Sequence, residues 1–399
     1  MQFAGPTSCG GVGTAFFSLA EALAARGHVV HVLLARDELD RLSSVDWERS
    51  LRRIGGSFVH LPRRLYRGSP FSGRREASMN CYRWLRRRHF DIIHFHDWMG
   101  LGYYSLLAKR RGFAFRSALM CVGAHGPEHW AMQGNGFPPS DIGHFETYMM
   151  ERESVCLADV VISPSQYMLR WFEREGWSLP KRTYAHPNIL WSEAISETCP
   201  NGSKVPTSEI VFFGRLEPRK GLYRFCDTLD HLSRSSHSGL RVTFLGRDLW
   251  LRDKGEWSSD FLHGRAAYWP FQVSVLADRN HEEALDYLRK PGRLAVMASS
   301  RDNSPYTVLE CLGAGVRMIC SDVGGVRELI HPDDRAQVLF NDEELTQKLL
   351  EVLDEGASSA RPAFDFGWVR ETWMRWHESV ATSTLESVRY EPVVTQALR

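Results

Sequence analysis

Short apolar runs alternate with amphipathic stretches along this chain, and that alternation constrains the fold more than any other feature. In the first half, the runs that predict strands are residues 29–34, 57–61, 91–94, 118–122 and 160–162. Helical patterns separate them, most clearly at 14–26, 103–110 and 165–174. Strands that alternate with helices form a parallel, doubly wound α/β sheet, and its binding loops lie at the carboxyl ends of the strands.

The second half repeats this arrangement after a polar, turn-rich stretch at 199–208, which is typical of a domain linker. Its predicted strands are residues 210–213, 242–245, 267–269, 294–298, 318–321 and 337–340. We therefore expect two Rossmann-like domains, residues 1–200 and 209–367, that face each other across a cleft. We expect a helix at 368–388 to pack across the domain junction, ahead of a tail at 389–399. Only residues 1–4 precede the Gly5-Pro6 loop, which is short for a central strand, so we expect either a stub or a true start that lies upstream.

Charge and cysteine content bear on the partners and on the compartment. The 49 basic and 48 acidic residues nearly cancel, so net charge gives no reason to expect a nucleic-acid partner. Basic residues predominate locally between residues 41 and 116, which indicates either a solvated surface or a patch that meets an anionic membrane or acceptor. The 8 cysteines are scattered singly, as in a reducing compartment. We expect a cytoplasmic protein, peripheral at most to the inner face of the membrane.

A glycine-rich segment opens the chain. Gly10, Gly11 and Gly13 are expected in a loop between a strand and a helix, where glycine lets the backbone approach a phosphate closely. The competing interpretation is a dinucleotide-binding loop. Phe16 weakens it, because the third glycine of that motif would fall there and the position must be small for helix–strand packing.

A second motif, FFGRLEPRKGL at 212–222, places two cations after a predicted strand. Arg215 and Lys220 suit the grip of a diphosphate, because arginine offers a planar fork and lysine a point charge. Such a grip stabilises charge on a departing nucleoside diphosphate. The alternative is a solvated basic turn in which Glu217 forms a local salt bridge.

A third segment, 298–328, combines a strand end, a polar loop and a helix start. Backbone N–H groups around Ser304, Tyr306 and Thr307 suit a phosphate, although Pro305 contributes none. The carboxylates of Asp302 and Glu310 suit sugar and ribose hydroxyls. Glu310 has an alternative interpretation as a helix-face residue paired with Arg317 or with solvent.

Histidines and acids follow two predicted strands of the first half. His125 and Glu128 come after residues 118–122, where a side chain points into the cleft and can meet a sugar hydroxyl or an acceptor. His94, His96 and Asp97 resemble a metal cluster at first sight, but no further ligands are evident nearby. We expect them to line the cleft, with Asp97 on the acceptor side, or to be satisfied in the core.

In this order and spacing, the motifs resemble the family 4 retaining glycosyltransferases of GT-B fold, the glycosyl transferases group 1. The resemblance covers nearly the whole chain: the Gly10-Gly11 loop, FDIIHFHD, GRLEPRKG and SPYTVLECLGAGVRMICSDVGGVRE. It implies that Arg215 and Lys220 bind the donor diphosphate, that Glu310 holds the ribose and that His125 is the family's N-domain histidine. The family's first acidic position is usually glutamate and is Asp302 here, which keeps the charge with a shorter reach.

The resemblance also implies the reaction. A sugar moves from a nucleotide-diphosphate donor, most often UDP, to an acceptor hydroxyl with retention and without a metal or other cofactor. The setting is bacterial-type glycan, polysaccharide, glycolipid or glycoconjugate biosynthesis. The leaving phosphate would serve as base, with no protein nucleophile. The alternatives are a GT-B nucleotide-sugar epimerase, an NAD-dependent oxidoreductase and a non-catalytic nucleotide-sugar-binding subunit; the joint presence of Arg215, Lys220 and Glu310 argues against the last.

Overall fold

The computed structural model describes residues 10–34, 49, 51–53, 55–61, 73–191, 195, 204–234, 239–341 and 343–382. The chain divides into two compact units: unit 1 is residues 1–189 with 365–399, and unit 2 is residues 190–364. The predicted first strand at 1–4 and the tail at 389–399 lie outside the described residues. Half of the predicted linker, residues 199–203, does so too.

Unit 1 is built on parallel strands with helices between them. Its elements up to residue 185 are α1 (Gly10–Ala25), β1 (His31–Leu34), β2 (Ser57–His60), α2 (Gly73–Leu85), β3 (Ile92–His96), α3 (Tyr103–Arg110), β4 (Leu119–Gly123), α4 (Glu128–Gly134), α5 (Ile142–Leu157), β5 (Val160–Ser163), α6 (Gln166–Arg174) and β6 (Thr183–Ala185). Strands β3-β4-β5-β6 form one parallel sheet, and β1 and β2 form a separate parallel pair. Strand β5 is buried along its whole length and β4 nearly so, as expected of a parallel sheet covered on both faces.

Unit 2 carries a longer parallel sheet. Its elements are β7 (Glu209–Phe213), α7 (Leu222–Leu232), β8 (Arg241–Leu245), β9 (Trp250–Leu251), β10 (Glu256–Trp257), α8 (Ser258–Ala266), β11 (Gln272–Leu276), α9 (His281–Leu288), β12 (Arg293–Met297), α10 (Tyr306–Ala314), β13 (Met318–Ser321), α11 (Val326–Leu329), α12 (Arg335–Val338), β14 (Leu339–Phe340) and α13 (Leu345–Glu355). The sheet order is β11-β8-β7-β12-β13-β14. Numbered within the sheet, this is 3-2-1-4-5-6, the Rossmann order, so the predicted fold class is confirmed for this unit.

The last helix, α14 (Phe366–Thr382), returns to unit 1. Its buried Trp376 and Val380 form a cluster with residues of β4 and β5 such as Cys121. The indole of Trp373 donates to the carbonyl oxygen of Pro187 at 2.9 Å. Helix α14 therefore covers the sheet of unit 1; its predicted packing across the domain junction stays a prediction.

Two local predictions were wrong. Residues 267–269 are not a strand: they follow α8, and Trp269 is buried with its indole donating to Asp230 at 2.7 Å. The strand is Gln272–Leu276. The apolar residues at 267–269 predicted a strand, but the burial of Trp269 there comes from packing outside the sheet. Gly10, Gly11 and Gly13 lie inside α1 and not in a loop before it. Glycine is tolerated there because the first amides of a helix have no intrahelical partner to lose.

Candidate active site

The unit 2 residues selected from sequence gather where the strand order of the sheet reverses. Strand β7 pairs with β8 on one side and with β12 on the other. Arg215 and Lys220 follow β7, and Asp302 follows β12. Ligands of open α/β sheets bind in the crevice outside the carboxyl ends of the strands at such a switch point. The topology therefore brings the second and third sequence motifs together.

Two glycines allow these loops to touch. Gly221, with φ of +81°, lies against the chain after β12, so that a Cβ there would stand 1.8 Å from the carbonyl oxygen of Ala298. Gly324, with φ of +61°, would place a Cβ 1.7 Å from the carbonyl oxygen of Asp302. No other residue type fits either position, because φ and space both exclude a side chain. The backbone at the switch point is thus fixed from two sides.

The core of the site is an ion-pair network between the two loops. The ammonium group of Lys220 contacts Oδ2 of Asp302, which also accepts a hydrogen bond from Ser299 at 3.0 Å. A guanidinium nitrogen of Arg219 lies 4.0 Å from Oδ1 of Asp302 and donates to the carbonyl oxygen of Arg301 at 3.0 Å. Burial alone raises the pKa of Asp302, but Lys220 and Arg219 outweigh it and hold that pKa below its usual value. Asp302 is therefore a buried carboxylate that both cations share.

Arg215 and Glu217 form the outer part of the network. Oε1 of Glu217 lies 2.8 Å from a guanidinium nitrogen of Arg215 and 3.0 Å from one of Arg219. The predicted local salt bridge of Glu217 is present, but Glu217 and Arg219 are largely buried, so the turn is not simply solvated. Arg219 was missed from sequence. Its position between Pro218 and Lys220 indicates a further cation in the motif, but the sequence does not show that the side chain points toward Asp302.

The start of α10 adds hydrogen-bond donors. Pro305 is the N-cap, Tyr306 and Thr307 begin the helix, and the N–H groups of Val308 and Leu309 already bond to the carbonyl oxygen of Pro305. The hydroxyl of Ser304 is buried and has no hydrogen-bond partner among the described residues. A buried polar group without a partner costs about 1–3 kcal/mol, which favours an external acceptor here. The helix start therefore suits an anion, and the phosphate contact expected there stays a prediction.

Glu310 lies one turn deeper in α10 and is only 4% exposed. Burial raises its pKa to about 8, although Lys220 opposes the shift. Its neighbour is not Arg317: Oε1 lies 3.5 Å from Nδ1 of His281, the first residue of α9. The ring of Trp191 stands 4.3 Å from that of His281, and neither His281 Nε2 nor Trp191 Nε1 has a hydrogen-bond partner among the described residues. His281 and Trp191 were missed because they lie far from Glu310 in sequence.

In unit 1, the loops after β3 and β4 are held together by Asp97. Its carboxylate is fully buried and accepts the backbone N–H groups of His125 at 3.1 Å and Gly126 at 2.9 Å. Burial raises its pKa to about 7, although these bonds oppose the shift. The pKa of His125 is lowered to about 3 by burial and by His96, so its ring is neutral at pH 7. Asp97 therefore positions His125, and its own side chain does not face solvent.

Glu151, a buried neighbour of Glu128, also holds the loops after β3 and β4 together. Oε1 of Glu151 accepts the backbone N–H groups of Met99 at 2.7 Å and Glu128 at 2.8 Å. Met99 has φ of 63°, which is uncommon for a residue other than glycine. The carboxylate of Glu128 pairs with Arg74 at 2.6 Å, so the predicted acceptor-side residue has a protein partner in this state.

The histidines of β3 are partly buried in unit 1. Nε2 of His94 lies 2.9 Å from Nε2 of His377 on α14, and His96 packs edge-on to Phe16 of α1. Phe16 also lies 5.9 Å from the His125 ring, so a bulky side chain stands where the dinucleotide-binding motif needs a small residue. Within the described residues, no three His, Cys, Asp or Glu side chains are grouped to hold a metal ion.

Comparison with protein families decides the classification. The model for Glycosyltransferase Family 4 matches residues 9–188, and the model for Glycosyl transferases group 1 matches residues 200–363. The chain belongs to this glycosyltransferase family. No curated protein matches the sequence.

Solved structures support the GT-B fold of this glycosyltransferase. HepE from Anabaena, solved with UDP-glucose, has a TM-score of 0.66 at 15% identity, over 94% of this chain and 98% of HepE. Sucrose-phosphate synthase from Thermosynechococcus elongatus has a TM-score of 0.63 at 16% identity, over 95% and 93%. WaaG, a glycosyltransferase of lipopolysaccharide biosynthesis, has a TM-score of 0.61 at 16% identity, over 97% and 96%. The predicted family and fold are confirmed.

The arginine-rich region of the glycosyltransferase is only partly described, because residues 35–48 and 62–72 lie outside the structure's description. Arg75 pairs with Glu146 at 3.3 Å, and Arg88 stacks on Trp84 at 3.9 Å. These arginines are thus partly engaged within unit 1. No helix among the described residues has the length and apolar character needed to traverse a bilayer. Contact with an anionic surface stays a prediction.

Proposed function

We propose that this glycosyltransferase moves a hexosyl-type sugar from a UDP-sugar to an acceptor hydroxyl, with retention of anomeric configuration and without a metal. The observation that carries the proposal is the switch-point network of unit 2. It joins Arg215, Lys220 and Asp302 beside the start of α10, and Lys220 acts electrostatically on Glu310 of that helix. Together these groups suit the diphosphate and the ribose of a nucleotide sugar.

The diphosphate is assigned to Arg215, Lys220 and the start of α10. Lys220 is nearly buried and paired with Asp302, so a diphosphate that enters exchanges one anion for another on the same ammonium group. Burial lowers the pKa of Lys220, and Asp302 opposes that shift and favours the charged form. Two such cations offer the positive charge that other enzymes obtain from a divalent ion at a diphosphate. This charge supply supports metal independence.

The reaction then follows a front-face course. The bond between the anomeric carbon and the diphosphate oxygen breaks, and the diphosphate leaves with the electron pair while Arg215 and Lys220 stabilise its charge. The acceptor oxygen bonds to the anomeric carbon on the same face. Its proton passes to the departing phosphate, so the protein supplies no nucleophile. His125, neutral and held by Asp97, is assigned a sugar hydroxyl.

Asp302 gains a second role in this proposal. Its contacts with Lys220 and Arg219 make it the residue that keeps Lys220 in place before the donor binds. The contact of Asp302 with a sugar hydroxyl remains a prediction, and so do the phosphate contacts of Gly10 and Gly11 at the start of α1. Asp302→Glu tests both roles, because a longer carboxylate restores reach toward a sugar and displaces Lys220.

The nucleoside is assigned to the pocket around Glu310. The carboxyl group there forms hydrogen bonds with two ribose hydroxyls, and His281 Nε2 and Trp191 Nε1 offer further polar atoms without described partners. The UDP-glucose bound by HepE supports uridine as the nucleoside. The involvement of WaaG in lipopolysaccharide biosynthesis supports a glycan or glycolipid pathway as the setting, which we place at the cytoplasmic face of a membrane.

The test is ligand-dependent stability followed by product analysis. We expect UDP-glucose to raise the unfolding midpoint and GDP-mannose and ADP-glucose not to, with about 2.7 kcal/mol of stabilisation at ~100-fold excess over Kd. UDP release in the presence of an acceptor should survive EDTA, and the product should keep the donor's anomeric configuration by NMR.

Each part of the proposal has its own contradicting result. Stabilisation by GDP-mannose or ADP-glucose, without stabilisation by UDP-glucose, would show that the donor nucleotide is not UDP. Loss of transfer in EDTA with recovery in Mg²⁺ removes metal independence. An inverted product removes the front-face course. Interconversion of free donor sugars without transfer would favour the epimerase.

A further inference from the structure

Two tryptophans stand side by side on the surface of unit 2. Trp250 on β9 faces Trp257 on β10 across the short antiparallel hairpin. Their rings meet edge to face with centroids 5.8 Å apart, yet the residues remain 51% and 48% exposed. Each large aromatic side chain thus leaves about half of its surface in water, although burial would stabilise it by roughly 1.5–3 kcal/mol. No described residue covers the pair completely.

The hairpin that carries these rings is held firmly. Leu251, between the tryptophans, is 2% exposed and belongs to the core of unit 2. Asp248 accepts hydrogen bonds from the hydroxyls of Ser258 at 2.5 Å and Ser259 at 2.7 Å, which closes the base of the hairpin. At its tip, Asp253 accepts the Tyr223 hydroxyl at 2.8 and 2.9 Å. The pair is therefore preorganised, so a ligand would pay little entropy to use it.

The hairpin is connected to the sheet that carries the donor site. It follows β8, and the carbonyl oxygen of Arg247 accepts the N–H of Leu216, which lies between Arg215 and Glu217. Tyr223, which binds the tip, belongs to the first turn of α7, three residues after Lys220. The hairpin is thus tied to the donor loops by hydrogen bonds within one unit.

The size and chemistry of the surface select its occupant. Two half-exposed indoles offer on the order of 250 Å², since an aromatic side chain contributes about 150–250 Å², whereas a standard protein interface covers about 800 Å² on each partner. The C–H face of one or two pyranose rings matches this area and is attracted by the negative faces of the indoles. Exposed Arg252 and Lys254, in the turn, lie in reach of hydroxyl groups.

We propose that Trp250 and Trp257 form a glycan-binding platform that holds sugar rings of the acceptor beyond the hydroxyl that reacts. This deepens the proposed function, on which it rests: the acceptor is a saccharide chain and not a simple alcohol. The donor site itself does not use these rings.

The experiment is affinity electrophoresis of the full chain through native gels that contain soluble dextran, yeast mannan or barley β-glucan. We expect at least one polysaccharide to retard the wild-type protein. Trp250→Ala/Trp257→Ala should abolish the retardation, and Trp250→Phe/Trp257→Phe should keep part of it. Tyr268→Ala is the matched control, because Tyr268 is an aromatic of unit 2 that is 85% exposed and stacks on no other ring among the described residues. Unchanged stabilisation by UDP-glucose shows that each variant is folded.

Three outcomes overturn the platform: a wild-type protein that all three polysaccharides leave unretarded, a double alanine variant retarded like the wild type, or loss of retardation in Tyr268→Ala as well. Tryptophan-dependent sedimentation with phosphatidylglycerol vesicles, without glycan retardation, would assign the surface to lipid instead. Failure of the proposed function is separate: it appears as an absence of stabilisation of the wild type by any nucleotide sugar, whatever the gels show.

Discussion

In unit 2 the carboxylate of Asp302 faces an ammonium and a guanidinium group, whereas in unit 1 the carboxylate of Asp97 faces the N–H groups of the backbone. The pKa of Asp302 is held below its usual value by Lys220 and Arg219, against the effect of burial. The pKa of Asp97 is raised by burial to about 7, because no cation offsets it. Both carboxylates lie at the carboxyl ends of parallel strands, so the difference is in their partners and not in their place in the fold.

This difference separates a site that exchanges partners from a site that keeps its shape. An ion pair between two loops can release its cation to a phosphate without breaking the backbone framework. A carboxylate that fastens two backbone N–H groups cannot be released without moving His125. We therefore expect changes around Lys220 to act on turnover and changes around Asp97 to act on stability first.

The largest expected effect is that of Lys220→Ala on turnover. Loss of a positioned charge at the leaving phosphate should lower kcat by about 10²–10³. Donor-independent stability should fall as well, because the buried Asp302 loses one of its cations, but the chain should still fold because Arg219 remains beside it. Steady-state UDP release measures this. Lys220→Arg keeps the charge and should lose less, and exposed Lys290→Ala is the matched control in the same unit. A near wild-type kcat in Lys220→Ala would remove Lys220 from the chemistry.

The next effect is expected in unit 1, on stability before turnover. Asp97→Ala leaves two backbone N–H groups without an acceptor, which should cost about 2–4 kcal/mol of stability in urea unfolding. Asp97→Asn retains one acceptor oxygen and should lose about half as much. Both variants should also lower turnover through His125. Equal stability of Asp97→Ala and the wild type would show that the loop after β4 does not depend on this carboxylate.

Glu310 combines features of Asp302 and Asp97: burial raises its pKa, and the cation Lys220 only partly opposes the shift. This allows a test by pH. Its pKa is raised by burial to about 8 in the folded chain, from a usual 4.5. A raised folded-state pKa means that the stabilisation is complete below about 4.5 and is lost as pH rises toward 8. We therefore expect the wild type to lose thermal stability relative to Glu310→Gln over this interval, and the difference to level off above it. A constant difference across the interval contradicts the raised pKa.

The architecture was predictable because it depends on local patterns. Apolar runs of strand length that alternate with helical stretches specify a doubly wound sheet, whatever their tertiary partners. The prediction failed at residues 267–269, where Trp269 owes its burial to a hydrogen bond with Asp230 and to packing, not to strand pairing. It also misplaced the start of α1, since glycine content favoured a loop where the chain forms its first helical turn.

The site was predictable only as far as its residues sit in contiguous motifs. Arg215, Lys220, Asp302 and Glu310 follow from such motifs, but the pairing of Lys220 with Asp302 joins residues 82 positions apart. The contact of His281 with Glu310 joins α9 to α10. The roles of Asp97 and Glu151 depend on backbone N–H groups of other loops, which no side-chain pattern records. What escaped prediction was therefore the partner of each charge, not its presence.

The smallest expected effect tests whether the contact between α9 and α10 matters to the donor site. Asn280 caps α9, where its side chain accepts the N–H of Glu283 while the Glu283 carboxylate accepts the N–H of Asn280, both at 3.0 Å. Asn280→Ala should cost about 1 kcal/mol of stability. Because His281 follows directly and lies beside Glu310, the same change should weaken binding of UDP-glucose about two- to threefold at unchanged kcat, an expectation that takes the loosened helix start to cost ~0.5 kcal/mol in binding. Asn280→Ser keeps a capping oxygen and should restore both quantities. Loss of stability without any change in UDP-glucose affinity by calorimetry would show that Glu310 is oriented by α10 alone.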